Sequence, residues 1–309
     1  MNINEFVKPY ADVRRNKARM LLRISENSEP IIYDNAVVQS FSLIQEYQAQ
    51  QASQPRGEVN IDIADENKDY DIANSESLYY QLNDRSVCEI YVSSVDNTTS
   101  DEFVQVAKMY VENVTPQKNI VQLTAVDASG IIANTSYNMI HVFQKLKYPD
   151  EVYTSELLTA MFELLGLNNK CVISEELDKK VLLKRTWFYD SEPFSIPKGI
   201  GIITASLTNA AKATVRAVIT SNGDMRVFAV NEEPVETITK HQYARVSVEA
   251  AETTGSNPKL VIEDRGNILR EPGDRIIVEA DRNYDIEVFM LRYEFEKGAL
   301  KGQMKGLIQ

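Results

Sequence analysis

At 309 residues, with 43% hydrophobic side chains and modest Gly and Pro, the chain has the length for two or three lobes and the material for a full core. Its 33 Lys and Arg stand against 45 Asp and Glu, a net charge of −12, so most of its surface repels phosphate and sequence-specific nucleic-acid binding is disfavoured. The opening MNINEFVKPY lacks the apolar core of a signal peptide, and no stretch approaches membrane-spanning length.

The first elements read as strands. Arg14, Arg15, Lys17 and Arg19 precede Met20-Leu21-Leu22, a basic cluster beside a first strand. Residues 37–48 alternate, with Val37, Phe41, Leu43 and Tyr47 set against Val38, Ser40 and Ser42. A Gln/Ala/Ser/Pro/Gly-rich loop over 48–57 leads to a strand of Val59, Ile61 and Ile63 against Glu58, Asn60 and Asp62. Residues 86–95 form another, with Cys88, Ile90 and Val92 on one face. The stretch 103–132 then predicts a hairpin. Val104, Val106 and 111–114 lead to a turn at Thr115-Pro116-Gln117-Lys118-Asn119, after which Val121, Leu123 and Ala125 alternate with Gln122, Thr124 and Val126. Asp127-Ala128-Ser129-Gly130 is suited to cap a helix. Strands at this spacing predict a small barrel or sandwich up to about Gly130.

Beyond Gly130 the period changes. Residues 137–146 read as helical or mixed, and 150–166 as the firmest helix. Its N-cap is Thr154 or Ser155, its apolar stripe is Leu157, Leu158, Met161, Phe162, Leu164 and Leu165, and Gly166 stands in the C′ role. Trp187-Phe188-Tyr189 lies in a short strand-like run, either as packing or as an exposed aromatic platform. A second, Ala-rich helix is predicted over 202–214. Runs at 216–220 and 225–230 around Ser221-Asn222-Gly223-Asp224 predict a hairpin. The last third returns to strands at 243–250, 259–263, 275–280, 285–295 and 299–308. Phe289, Leu291, Tyr293 and Phe295 are expected on one face, and Lys297-Gly298 makes the final turn. Lys301 and Lys305 share a face with Ala299 and Gln303, opposite Leu300, Met304 and Ile308. A basic-faced terminal hairpin is a docking edge or a solvated one, and with Arg14 and Arg15 it supplies the interface candidates Lys297, Lys301 and Lys305.

Catalytic signatures are lacking. His141 and His241 are the only histidines, and neither belongs to a metal-ligand spacing. No nucleophile elbow occurs. Gly199-Ile200-Gly201 lacks the third Gly of a dinucleotide fingerprint and reads as a tight strand-to-helix connection. Cys88 and Cys171 read as free thiols of a chain folded in a reducing cytosol, where the Asn-x-Ser/Thr matches carry no weight. Asp65, Asn67, Asp69, Asp71 and Glu76 fall at positions one, three, five, seven and twelve of a calcium loop, the hard oxygen ligands that ion takes. Tyr70 occupies the place of the turn Gly and the entering segment reads as a strand, so a solvated polar loop is the better reading. No cofactor is implied, and a non-enzyme is expected.

The order of segments carries a resemblance. Initial strands lead to Asp65-Glu66-Asn67-Lys68-Asp69-Tyr70-Asp71, the strand 87–92 and the hairpin 104–125 ending in Asp127-Ala128. A helix closing on Leu165-Gly166-Leu167 follows, then an Ala-rich helix, a hairpin with Asn222-Gly223-Asp224, and Tyr243-Ala244-Arg245-Val246 opening the terminal β region. This order resembles the hub proteins of phage tails and baseplates, including the trimeric hub of contractile tails, the tail-tip hubs of long flexible tails and the N-terminal part of type VI secretion spikes.

The resemblance covers about residues 20–305. It implies a mainly β, α+β chain with two barrel-like β domains of tail-tube type and a small α/β lobe between them. The domains would be 1–148, 149–240 and 241–309. It implies a homotrimer in the virion tail, assembled in the host bacterial cytoplasm, that joins a six-fold tail tube to a three-fold spike or fibre and lines the DNA channel with carboxylates. Its partners would be the tail tube or distal tail protein and a central spike, fibre or tape-measure protein. The long C-terminal extension that carries hydrolase or spike functions in some members is not expected in a chain this short. Two rivals stay open: a receptor- or glycan-binding tail module using Trp187, Phe188 and Tyr189, and a tail-associated cell-wall hydrolase using an Asp/Glu pair.

Overall fold

The computed structural model describes residues 16–47, 55–83, 85–93, 103–182, 194–230, 233–250, 257–264 and 266–309. Its frame is a 13-stranded sheet. From the N-terminal part come β1 (Ala18–Arg23), β2 (Ile31–Tyr33), β3 (Val38–Tyr47), β4 (Pro55–Ala64), β5 (Val87–Ser93), β6 (Phe103–Gln117) and β7 (Ile120–Val126). Between β7 and the C-terminal strands lie β8 (Glu151–Tyr153), β9 (Cys171–Ile173), β10 (Lys180–Leu182), β11 (Val215–Ile219) and β12 (Met225–Ala229). The C-terminal strands are β13 (Glu236–Ile238), β14 (Tyr243–Glu249), β15 (Lys259–Asp264), β16 (Arg275–Glu279), β17 (Asn283–Glu296) and β18 (Ala299–Ile308).

The order in the sheet is β14-β15-β18-β17-β3-β4-β7-β6-β5-β1-β2, with β16 beside β17 and β13 beside β16. Strand β17 is the hinge of this order. Its first residues pair with β16, and Met290–Glu296 pair antiparallel with β3, so strands from the two ends of the chain form one sheet. They also share one hydrophobic cluster, in which Leu43, Ile61, Leu123, Ile262, Leu291 and Phe295 are buried together.

Period-two alternation accounts for most of these strands, since every second residue faces that cluster. Register shifts break it at five places, and two of them bear on the faces read from the sequence. A register shift between Val38 and Ser40 buries Val38 on the same side as Phe41, where uniform alternation opposes them. A second shift, between Val288 and Met290, turns Phe289 away from Leu291, Tyr293 and Phe295 and toward Tyr47, Val218, Phe228 and Val230. The 103–126 hairpin forms, but its turn is only Lys118-Asn119, and Thr115-Pro116-Gln117 belongs to β6. Beyond Tyr110, β6 pairs with β7 alone, the one-sided setting in which a strand tolerates proline. The segment predicted as loop over 48–57 includes the start of β4 at Pro55.

The lobe holds α2 (Ala128–Asn134), α3 (Met139–Lys145), α4 (Thr154–Leu164) and α5 (Ile196–Ala211), while α1 (Leu78–Gln81) is one turn in the loop between β4 and β5. The helix predicted from 150 starts at Thr154, because Glu151–Tyr153 pair with β10. Neither Thr154 nor Ser155 caps it with its own side chain. Asp178 does so from across the chain, accepting from the Ser155 N–H at 2.9 Å and its hydroxyl at 2.6 Å. Gly166, at φ 71°, ends it with a Schellman pair, Leu167 N–H to Phe162 C=O and Gly166 N–H to Glu163 C=O.

Helix α5 begins at Ile196, not 202, with Pro197 in its first turn, so Gly199-Ile200-Gly201 is helix and not a connection. A Cβ on Gly199 would stand 2.3 Å from the Met139 Sδ, so glycine there permits close approach of α5 to α3. Asn222-Gly223 forms the expected turn between β11 and β12, with Gly223 at φ 88°. Among the described residues, no helix is long and apolar enough to cross a membrane.

The lobe meets the sheet where α2 and its cap Asp127 lie against Gly57 of β4, and at two further places. Val87 and Tyr110 point away from the main cluster into the lobe's own, and the Tyr110 hydroxyl donates to Asn169 Oδ1 at 2.8 Å. On the C-terminal side, Arg216 pairs with the buried Glu287 at 3.2 Å, Glu287 also accepts from the Tyr47 hydroxyl, and Arg226 faces Asp274.

Candidate functional site

The face of the sheet opposite the main cluster is a candidate working surface. Registers through β18, β17, β3, β4 and β7 set Lys301, Glu294, Ser42, Asn60 and Thr124 in one row. The next row is Ala299, Glu296, Ser40, Asp62 and Gln122, and on the other side lies Gln303, Arg292, Ile44, Glu58 and Val126. Five strands at the usual spacing make a surface about 20 Å wide. It is legible as the polar half of two alternating stretches. That β17 places both halves on one surface is a matter of sheet pairing.

Side chains on this face bond sideways. The Ser40 hydroxyl donates to Asp62 Oδ2 at 2.6 Å, and Gln122 Nε2 to Asp62 Oδ1 at 3.4 Å. The Thr124 hydroxyl donates to Asn60 Oδ1 at 2.9 Å, and Asn60 Nδ2 to Glu58 Oε1 at 3.4 Å. Arg292 meets Glu294 at 2.8 Å. In these three rows Glu58, Asp62, Glu294 and Glu296 outnumber Arg292 and Lys301, so the surface is polar, laterally hydrogen-bonded and acidic.

Among the interface candidates, Lys297 is exposed at the final turn, Lys301 is exposed in the first row, and Lys305 reaches Glu249 at 3.3 Å. They lie along one hairpin interleaved with Glu294 and Glu296 and make no uniformly basic patch. Arg14 and Arg15 lie outside the described residues, as do Trp187, Phe188 and Tyr189.

In the acidic loop, Asp65 accepts from the Asp69 N–H at 2.8 Å and Asp71 from the Ala73 N–H at 2.9 Å. Tyr70 is buried, its hydroxyl 3.0 Å from that of Tyr33, and anchors the loop in the core. Asn67, Asp69 and Glu76 are exposed, and among the described residues no three His, Cys, Asp or Glu side chains gather as a metal cage. His141 serves the N-terminus of α3, its Nδ1 accepting from the Asn138 N–H at 3.2 Å. Cys88 and Cys171 are free, as expected.

A residue that sequence reasoning treated only as a cap is Asp127. Its carboxylate accepts from the Ser129 and Gly130 N–H groups at 2.9 and 3.2 Å and from the Ser129 hydroxyl, at the point where β7 becomes α2. Burial pushes it up to about 6, against the lowering effect of those bonds.

No protein-family model and no curated protein matches the chain. Solved structures do. A tail protein from Neisseria meningitidis MC58 aligns over 94% of this chain and 96% of its own, with a TM-score of 0.56 and 11% identity. The 43 kDa tail protein of prophage MuSo2 from Shewanella oneidensis aligns over 94% and 98%, with a TM-score of 0.58 and 7% identity. The chain has a phage tail-protein fold. A type VI secretion component of E. coli, described as structurally similar to the T4 bacteriophage tail proteins gp27 and gp5, aligns over 88% of this chain and 74% of its own, with a TM-score of 0.50 and 8% identity. The resemblance read from segment order is thus borne out at the level of fold.

Proposed function

We propose that the chain is a structural hub of a phage tail tip, baseplate or related injection machine. In this reading it is a homotrimeric ring that joins a six-fold tail tube to a three-fold spike or fibre. The observation that carries the proposal is the polar sheet face shared by both ends of the chain, in a fold like that of tail proteins across nearly its whole length.

Two barrel-like halves would supply the six-fold match. One is β3-β4-β7-β6-β5-β1. The other is built on β17, β18, β15 and β14 with β16 and β13, and in it the Tyr243 hydroxyl reaches the Glu279 carbonyl at 3.0 Å, bringing β14 toward β16. The lobe of 149–240 would sit between halves drawn from 1–148 and 241–309. The acidic face would turn to the channel, where it repels DNA phosphates and lets the duplex pass without binding. Neighbours in the assembly would be the tail tube or distal tail protein above and a spike, fibre or tape-measure protein at the centre.

Light scattering across a concentration series tests the oligomer. The expected mass is three times the 35.0 kDa of the chain. A protein that stays at 35.0 kDa at every concentration, alone and with its neighbouring tail proteins, would overturn the reading.

A further inference from the structure

The two ends of the sheet hold the lobe by different means. Among the described residues, the main hydrophobic cluster takes nothing from the lobe, and the lobe's own cluster takes only Val87 and Tyr110 from outside, both from N-terminal strands. That side is apolar and closely packed, with Asp127 against Gly57 where the chain enters α2. The C-terminal side is largely polar. Arg216 of β11 pairs with Glu287 of β17 at 3.2 Å, and Arg226 of β12 faces Asp274 at 3.7 Å. At the turn joining β11 to β12, the Ser221 N–H and hydroxyl each donate to Glu271 Oε1 at 3.4 Å. Between these contacts lies a small cluster of Tyr47, Val218, Phe228 and Val230, to which the C-terminal strands add Phe289, with Gly273 against the Phe228 ring.

Glu287 is the centre of this joint. It is 2% exposed and accepts from the Tyr47 hydroxyl, from Arg216 Nε, and from Gln309 Nε2 at 3.4 Å. An N-terminal strand, the lobe and the C-terminus thus meet on one carboxylate. Burying that charge costs free energy which only its partners offset, so the joint depends on all of them being in place. Strand β11 turns its two faces to different surroundings: Ala217 lies in the lobe's cluster, and Val218, the next residue, lies in the joint.

We propose that this joint opens while the rest of the fold stays closed. The lobe remains fixed to the N-terminal strands and tilts as one body away from β17 and the 271–274 turn, with Arg216, Arg226 and Glu287 as the latch. The sheet itself is undisturbed, because β17 stays paired with β3. The opening belongs to the single chain and is independent of the oligomer.

Thiol labelling of the full chain tests this, in a Cys171→Ser background and with each rate taken relative to the unfolded chain. Three buried positions report three events: native Cys88 the main cluster, Ala217→Cys the lobe core and Val218→Cys the joint. The thiol at 218 should react at least about tenfold faster than those at 217 and 88. Arg226→Gln and Glu287→Gln, each alone, should speed it by about tenfold more and leave the other two within about threefold. Circular dichroism confirms folding, and Val230→Cys, in the same cluster, is the second reporter of the joint. A thiol in the joint that reacts no faster than the other two, or latch variants that speed all three alike, would overturn the proposal, since the lobe would then part from the sheet only by unfolding.

Discussion

Asp127 lies where the sheet hands the chain to the lobe, and its burial has a measurable consequence. A carboxylate in the unfolded chain titrates near 3.9, whereas this one is pushed up to about 6 by loss of water. Between those values the folded state keeps a proton that the unfolded state releases. The stability this group contributes is complete below about pH 4 and is lost as the pH rises through 6, on the order of 3 kcal/mol in all. Asp127→Asn keeps an acceptor for the Ser129 and Gly130 N–H groups but cannot ionise. Urea unfolding from pH 4 to 7 should therefore show the wild type losing stability relative to the variant. Parallel curves for the two proteins would refute this account. The cap itself is legible in Asp127-Ala128-Ser129-Gly130, but its burial is not, because Gly57, which lies against the carboxylate, comes from a strand far earlier in the chain.

Among the elements, α5 shows how a local signal can mislead. Two glycines in three residues usually argue against helix, since each costs about 1 kcal/mol relative to Ala. Here Gly199 sits under Met139 of α3, where a side chain has no room, and packing outweighs the propensity. Gly199→Ala should gain helix propensity yet lose net stability by about 1–3 kcal/mol through overpacking, read as a lowered urea midpoint with an unchanged slope. A more stable variant would show that Met139 can move aside at little cost. Strand β17 offers the complementary lesson. Its alternation is plain from Leu291 to Phe295, but the bulge after Val288 sends Phe289 to the other side, to pack with Tyr47 and Phe228. A bulge adds one residue to one strand and leaves no mark in composition.

At the scale of the whole molecule, electrostatics on the shared face can be set against its proposed place in a channel. Glu58, Asp62, Glu294 and Glu296 are held on a rigid five-strand surface, so the repulsion they exert on a polyanion is local and stronger than net charge alone implies. Asp62→Lys with Glu294→Lys should convert a protein that does not retain duplex DNA at low salt into one that does, with retention falling steeply as salt is raised. If the doubly reversed protein still fails to retain DNA, the face does not meet nucleic acid in the way proposed. The Asp62 position carries hydrogen bonds from Ser40 and Gln122, so Glu294→Lys alone, on an exposed side chain, is the control for structural damage.

Read alone, the chain determined the kind of each long element, the existence of the hairpin within 103–126 though not the length of its turn, the hairpins at Asn222-Gly223 and Lys297-Gly298, and the order that resembles tail hubs. These are properties of neighbours in sequence: alternation, helical spacing, and turn residues that accept positive φ, as Gly223 and Gly298 do. Tertiary structure alone decided that β17 pairs with β3 and makes one sheet of two distant segments, that Asp178 caps α4 from outside, and that a polar surface is assembled from residues 40–62, 122–124 and 294–301. Pairing between distant strands depends on which buried faces fit one another around a common core, and a stretch such as residues 38–47 carries the same alternation whichever partner it meets.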